Sequence, residues 1–109
     1  MKNHGVLESK IEDWLNDRIR ELGGISRKFV SPGNPGVPDR IYITPNGRIY
    51  FVELKRIIGK LSNVQVWQRE KFREMGVEVR VIYGMDQAKE FIKELKHEIQ
   101  TTCLPGTGD

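Results

Sequence analysis

Apolar residues recur at steps of three and four from Val6 to Leu22, at Leu7, Ile11, Trp14, Leu15, Ile19 and Leu22. That period marks one face of an amphipathic helix. Gly23-Gly24 ends it, because glycine readily takes the left-handed conformation that closes a helix. Four later stretches, Ile25 to Val30, Asp39 to Thr44, Arg48 to Lys55 and Val77 to Tyr83, are rich in Ile, Val, Tyr and Phe and read as strands. Between the first two lies Ser31-Pro32-Gly33-Asn34-Pro35-Gly36-Val37-Pro38, a loop by its prolines and glycines. Arg56 to Leu61, containing Gly59, is a second loop. Ser62 should cap a helix that runs to about Met75, with Gln65 as its capping-box partner and Gly76 as its stop. Asp86 is expected to cap a third helix that buries Ala88, Phe91, Ile92 and Leu95. After about His97 the chain becomes polar and rich in Thr, Pro and Gly, and should fray. The order α-β-β-β-α-β-α predicts an α/β domain over residues 1–97 with a mixed central sheet flanked by helices, and a flexible tail over 98–109.

Composition narrows the partners only slightly. The 109 residues carry 18 Lys and Arg against 15 Asp and Glu, a net charge of +3, which permits a nucleic acid partner without demanding one. Hydrophobic residues make up 38% of the chain, enough to fill a core and to exclude disorder. No apolar run approaches the roughly 18–20 residues of a membrane helix. The first residues show no apolar leader, which points to the cytosol. Cys103 is the single cysteine, so an intrachain disulfide or a cysteine-rich zinc cluster is excluded, and its polar surroundings argue against catalysis. Trp14 and Trp67 lie on or near apolar helix stripes and read as core or dimer-interface residues.

The join between the second and third strands carries the chemistry. A two-residue Asn46-Gly47 loop would set Asp39 opposite Leu54 and Ile41 opposite Val52. A three-residue Pro45-Asn46-Gly47 loop pairs Thr44 with Arg48, Ile43 with Ile49, Ile41 with Phe51, and Asp39 with Glu53. The second register gathers four bulky apolar residues on one face and suits the turn preferences of proline and glycine. Asp39 and Glu53 then become cross-strand neighbours with β-carbons roughly 5 Å apart, and Lys55 follows on the same face. Like charges so opposed destabilise a sheet unless a positive group lies between them. A divalent cation is one such group, and two carboxylates plus waters suit Mg²⁺. The plainer alternative keeps both acids at the sheet rim, paired with Arg40, Lys55 or Arg56. At about 100° per residue, Glu8 falls between Leu15 and Ile19 inside the apolar arc of the first helix, and Glu12 falls just outside it. A buried glutamate needs a partner, whereas a glutamate at a helix start is also favoured by the helix dipole.

Pro38-Asp39 followed by Glu53-Leu54-Lys55 resembles the PD-(D/E)xK signature of restriction-endonuclease-like nucleases. The longer co-linear string is more specific. Lys28-Phe29-Val30-Ser31-Pro32-Gly33, Gly36-Val37-Pro38-Asp39-Arg40, Phe51-Val52-Glu53-Leu54-Lys55, and Gly59-Lys60-Leu61-Ser62 with Gln65 resemble the VRR-NUC domain. The likeness runs from about Glu8 to Tyr83, and the chain length resembles the stand-alone VRR-NUC proteins of bacteriophages and bacteria. The resemblance implies a restriction-endonuclease-like αβββαβ core. It also implies hydrolysis of DNA phosphodiesters with Mg²⁺ or Mn²⁺, and branched-DNA cutting by a homodimer similar to the Holliday-junction resolvases. The setting implied is the cytoplasm of a bacterial or phage-infected cell.

Within that likeness Asp39 and Glu53 match the metal-binding acids and Lys55 the catalytic lysine. Glu8 best matches the helix acid, although Glu12 is also offered, and Gln65 matches the family glutamine, where periodicity alone would favour Gln68. The expected metal set is Asp39, Glu53, the Leu54 carbonyl and Glu8. Lys55 would position the attacking water and stabilise developing negative charge. Gln65 either orients water or DNA, or serves only the capping box. Lys28, Arg40, Arg56 and Lys60 would neutralise phosphates beside the cut; a solvated basic rim is the alternative. Two other readings compete: a catalytically silent branched-DNA-binding module, and a flap or non-specific nuclease.

Overall fold

The computed structural model describes residues 6–102. Cys103 and most of the expected tail lie outside the described residues. The elements follow the order α1 (Glu8–Glu21), β1 (Ile25–Lys28), β2 (Arg40–Ile43), β3 (Ile49–Lys55), α2 (Asn63–Glu74), β4 (Val79–Tyr83) and α3 (Gly84–Thr101). The four strands form one mixed sheet in the order β1-β2-β3-β4. The first three are antiparallel, whereas β4 runs parallel to β3 and is reached through α2.

The hairpin holds the three-residue loop. Ile43 pairs with Ile49 and Ile41 with Phe51. Thr44 N–H donates to the Arg48 carbonyl, and Gly47 N–H closes the turn on the Thr44 carbonyl. The main core lies on the face opposite the four apolar residues of the hairpin. Ile11, Leu15 and Ile19 of α1 and Ala88, Phe91, Ile92 and Leu95 of α3 pack with Tyr42, Val52, Leu54 and Ile82. These strand residues alternate with Ile41, Ile43 and Phe51, so two helices cover the face opposite those residues. Among the described residues, the helix on the other face is α2. Phe72 of α2 meets Phe51 at 5.3 Å between ring centroids, and Phe29 lies 5.7 Å from Phe51. Ile49, beyond the reach of α2, stays 59% exposed.

Both ends of α3 correct the sequence reading. The helix begins at Gly84 directly after β4, with Tyr83 at the cap position and Asp86 inside the first turn. It continues past His97 to Thr101, so residues 98–101 are helix rather than tail. Glu98 explains the extension, since it accepts a hydrogen bond from the Tyr50 hydroxyl of β3 and ties the last turns to the sheet. Trp14 packs against the core, whereas Trp67 is 55% exposed beside Lys71 and is no core residue.

Candidate active site

The hairpin register, carried one residue beyond Arg40 and Val52, sets Asp39 opposite Glu53. Asp39 ends the Pro/Gly loop, and that loop is held in place at two points. Gln68, buried in α2, donates its amide to the Pro35 carbonyl at 3.1 Å. Gly36, at φ +86°, lies so near α2 that a β-carbon there would meet the Val64 carbonyl oxygen at 2.7 Å. Gly36 is thus a packing glycine, and Gln68 secures the approach to the site.

Asp39 Oδ2 accepts the Leu54 N–H at 2.8 Å. An extended residue points its N–H and C=O to the same side, so the Leu54 carbonyl also faces the Asp39 side of β3. Glu53 is only 3% exposed. Its Oε2 accepts the Gln65 amide at 2.6 Å and lies 3.9 Å from Lys55 Nζ. Gln65 has a second contact: its Oε1 accepts the Ser62 N–H while its own N–H donates to Ser62 Oγ, which completes the capping box. Gln65 therefore completes the capping box and also reaches the Glu53 carboxylate.

Burial pushes the Glu53 carboxyl up to about 8, and the Asp39 carboxylate adds to the rise while Lys55 opposes it. Glu8 also raises it, so the first turn of α1 lies within electrostatic reach of the pair. Glu8 is exposed rather than inside the apolar arc, and among the described residues no three acidic, His or Cys side chains converge on one point. Glu12 has a different partner. It accepts from Arg40 at 3.0 Å on the α1 face of the sheet. Arg40 also donates to Ser26 Oγ, and Asn16 accepts from both Ser26 and the Tyr42 hydroxyl.

Arg40 is accordingly buried and paired within the fold, which corrects its reading as a phosphate contact. The other three basic residues remain at the surface or part-buried: Lys28 at the end of β1, Arg56 just after Lys55, and Lys60 in the following loop. The Ser26–Asn16–Tyr42 connection escaped the sequence reading. Its only signal is a set of polar side chains at positions that alternation would assign to the core face.

The arrangement is two carboxylates held together by the backbone, one of them buried, with a lysine and an amide donor alongside. A buried pair of this kind must share a proton or attract a cation. The oxygens of Asp39, Glu53 and the Leu54 carbonyl are hard donors of the kind Mg²⁺ and Mn²⁺ prefer.

No family model matches the chain. It is 41% identical over 81 residues to a protein of Acyrthosiphon pisum secondary endosymbiont phage 1 named "Putative nuclease p44", a match covering 74% of this chain and 87% of the phage protein. A solved structure described as "VRR_NUC domain" superposes with a TM-score of 0.73 at 33% identity, covering 79% of this chain and 94% of its own.

Proposed function

The chain belongs to the VRR-NUC domain family, and from that premise we propose that it is a metal-dependent endonuclease of branched DNA that works as a homodimer. The observation that carries the reading is the Asp39–Glu53 pair, with Lys55 on the same face and its nitrogen 3.9 Å from Glu53. Asp39, Glu53 and the Leu54 carbonyl would hold Mg²⁺ or Mn²⁺, and Glu8 would act on the ion from the first turn of α1. Bound there, the ion supplies Lewis-acid polarisation of the phosphate and a more acidic water.

The chain's own residues account for the rest. Asp39 is fixed by the Leu54 N–H and Glu53 by the Gln65 amide, so both carboxylates are oriented before substrate arrives. Lys55 places positive charge where negative charge develops on the phosphate oxygens during attack. Lys28, Arg56 and Lys60 would neutralise neighbouring phosphates. Paired cuts across a junction require two sites, which a two-fold dimer of small subunits supplies.

The test is cleavage of a synthetic four-way junction beside flap, linear duplex and single-stranded DNA, with Mg²⁺, Mn²⁺ or EDTA. Asp39→Asn serves as the control protein. Paired symmetric nicks that require metal and Asp39 are the expected result. Cutting of flaps or linear DNA alone would discard the junction preference. Tight junction binding without cleavage under any metal would replace the enzyme with a silent binding module.

A further inference from the structure

Immediately after the proposed catalytic lysine the chain makes a tight turn. The Gly59 N–H donates to the Arg56 carbonyl at 2.8 Å, so Ile57 and Ile58 are the central residues of a four-residue β-turn. Those positions ordinarily hold Gly, Pro, Asn, Asp or Ser, each for a backbone or hydrogen-bonding reason. Two adjacent β-branched apolar side chains break that rule, and both stand in water, 56% and 57% exposed. A local rule broken beside a reactive site marks a functional demand.

The turn is braced from behind. Gly84 at the start of α3 has no β-carbon, and one placed there would come within 3.2 Å of Ile57 Cβ. Ile57 therefore packs beside Gly84 on one side, and Ile58, as exposed as Ile57, follows it in the turn. The flanks are basic. Arg56 precedes the pair and exposed Lys60 follows it. An apolar tip between two cations fits a partner that is anionic at its edges and apolar between them. A nucleic acid whose bases have parted has that character, with phosphates outside and base faces within.

We propose that the Arg56–Gly59 turn is a wedge that inserts Ile58, supported by Ile57, against unstacked bases at a DNA branch point and so sets the preference for branched over linear substrate. The proposal rests on the nuclease reading and adds to it the element that senses the branch. A continuous duplex would have to be unstacked before accepting the tip, whereas a junction or flap already offers an open step.

The test compares wild type, Ile58→Ser and Ile58→Leu. Affinities for a four-way junction and for linear duplex are measured in EDTA. In parallel, a 2-aminopurine placed at the branch reports unstacking. The serine variant should lose branch preference by about tenfold together with the 2-aminopurine fluorescence rise, and the leucine variant should keep both. A serine variant with wild-type branch preference and fluorescence, while wild type still cuts DNA, overturns the wedge and leaves the nuclease reading intact. Wild type that neither binds nor cuts any DNA overturns both. If serine at 58 instead converts a dimer to monomers by light scattering, the tip belongs to a second copy of the chain and the wedge is wrong.

Discussion

Replacing Glu53 with glutamine should stabilise the metal-free protein at neutral and alkaline pH while destroying its proposed activity. The carboxyl rises from an ordinary value of 4.5 to about 8 because it is buried against Asp39. A carboxyl whose folded value is raised binds its proton more tightly in the native state. Native stability is therefore complete at low pH and declines as pH climbs from 4.5 through 8. At about 1.4 kcal/mol per unit, the ceiling on that loss is about 5 kcal/mol. Side-chain relaxation and water reaching the Lys55 side reduce it to about 2 kcal/mol. For a domain of this size that is roughly 10 °C in Tm. Glutamine keeps the acceptor for Gln65 and presents to Asp39 the donor that a protonated Glu53 would present. The assay is thermal unfolding by circular dichroism in EDTA at pH 5 and pH 8.5. Glu53→Gln should match wild type at pH 5 and exceed it at pH 8.5. Millimolar Mg²⁺ should raise the wild type, by mass action on the folded state, and leave the variant unmoved. A variant no more stable than wild type at pH 8.5, or equally more stable at both pH values, would refute the strained pair.

Four further outcomes are expected. Asp39→Asn should lower cleavage by at least about 10²-fold with DNA affinity kept or increased, as read by nicking and anisotropy assays. Glu8→Gln should lower metal-dependent cleavage with little change in stability, whereas Glu12→Gln should lower the urea midpoint because Arg40 loses its anion; the reverse pattern would show that the two helix acids are misassigned. Gly36→Ala combines a positive φ with a contact against the Val64 carbonyl, and urea denaturation should show a loss of about 2–3 kcal/mol. Arg40→Ala strands Glu12 and removes a donor from Ser26 at a cost of about 2–3 kcal/mol, and Arg40→Met with Glu12→Gln should recover much of that in the same urea assay.

The register was legible in the sequence because a one-residue slip would have scattered Ile41, Ile43, Ile49 and Phe51, and turn chemistry agreed with the three-residue loop. The same pattern does not say which face carries the core. The Tyr42, Val52 and Leu54 face includes Arg40, whose charge hides its burial until Glu12 is seen to answer it. Glu8 illustrates the limit of helical phase. At the first residue of α1, position along the axis matters more than angle, and the side chain stays in water while its field reaches Glu53. The start of α3 was misplaced because Asp86 looks like a cap, whereas the strand feeds the helix directly through Gly84 at φ +79°. Gln65 was legible as the capping-box partner of Ser62, whereas its contact with Glu53 joins residues 12 apart in sequence and leaves no mark in local spacing. Its two polar atoms face different partners.

That division of labour at Gln65 restricts what the position can tolerate. A capping box accepts glutamate as readily as glutamine, and helix propensity hardly distinguishes them. Glutamate would serve the Ser62 N–H but would bring a third negative charge against Glu53 and remove its donor. Alanine would free both. Two requirements of different origin, one from the start of a helix and one from a buried acid, thus intersect on a single amide. Directed evolution that randomises residue 65 under selection for cleavage should return glutamine, and selection for folding alone should admit glutamate only beside Glu53→Gln, which removes the opposing charge.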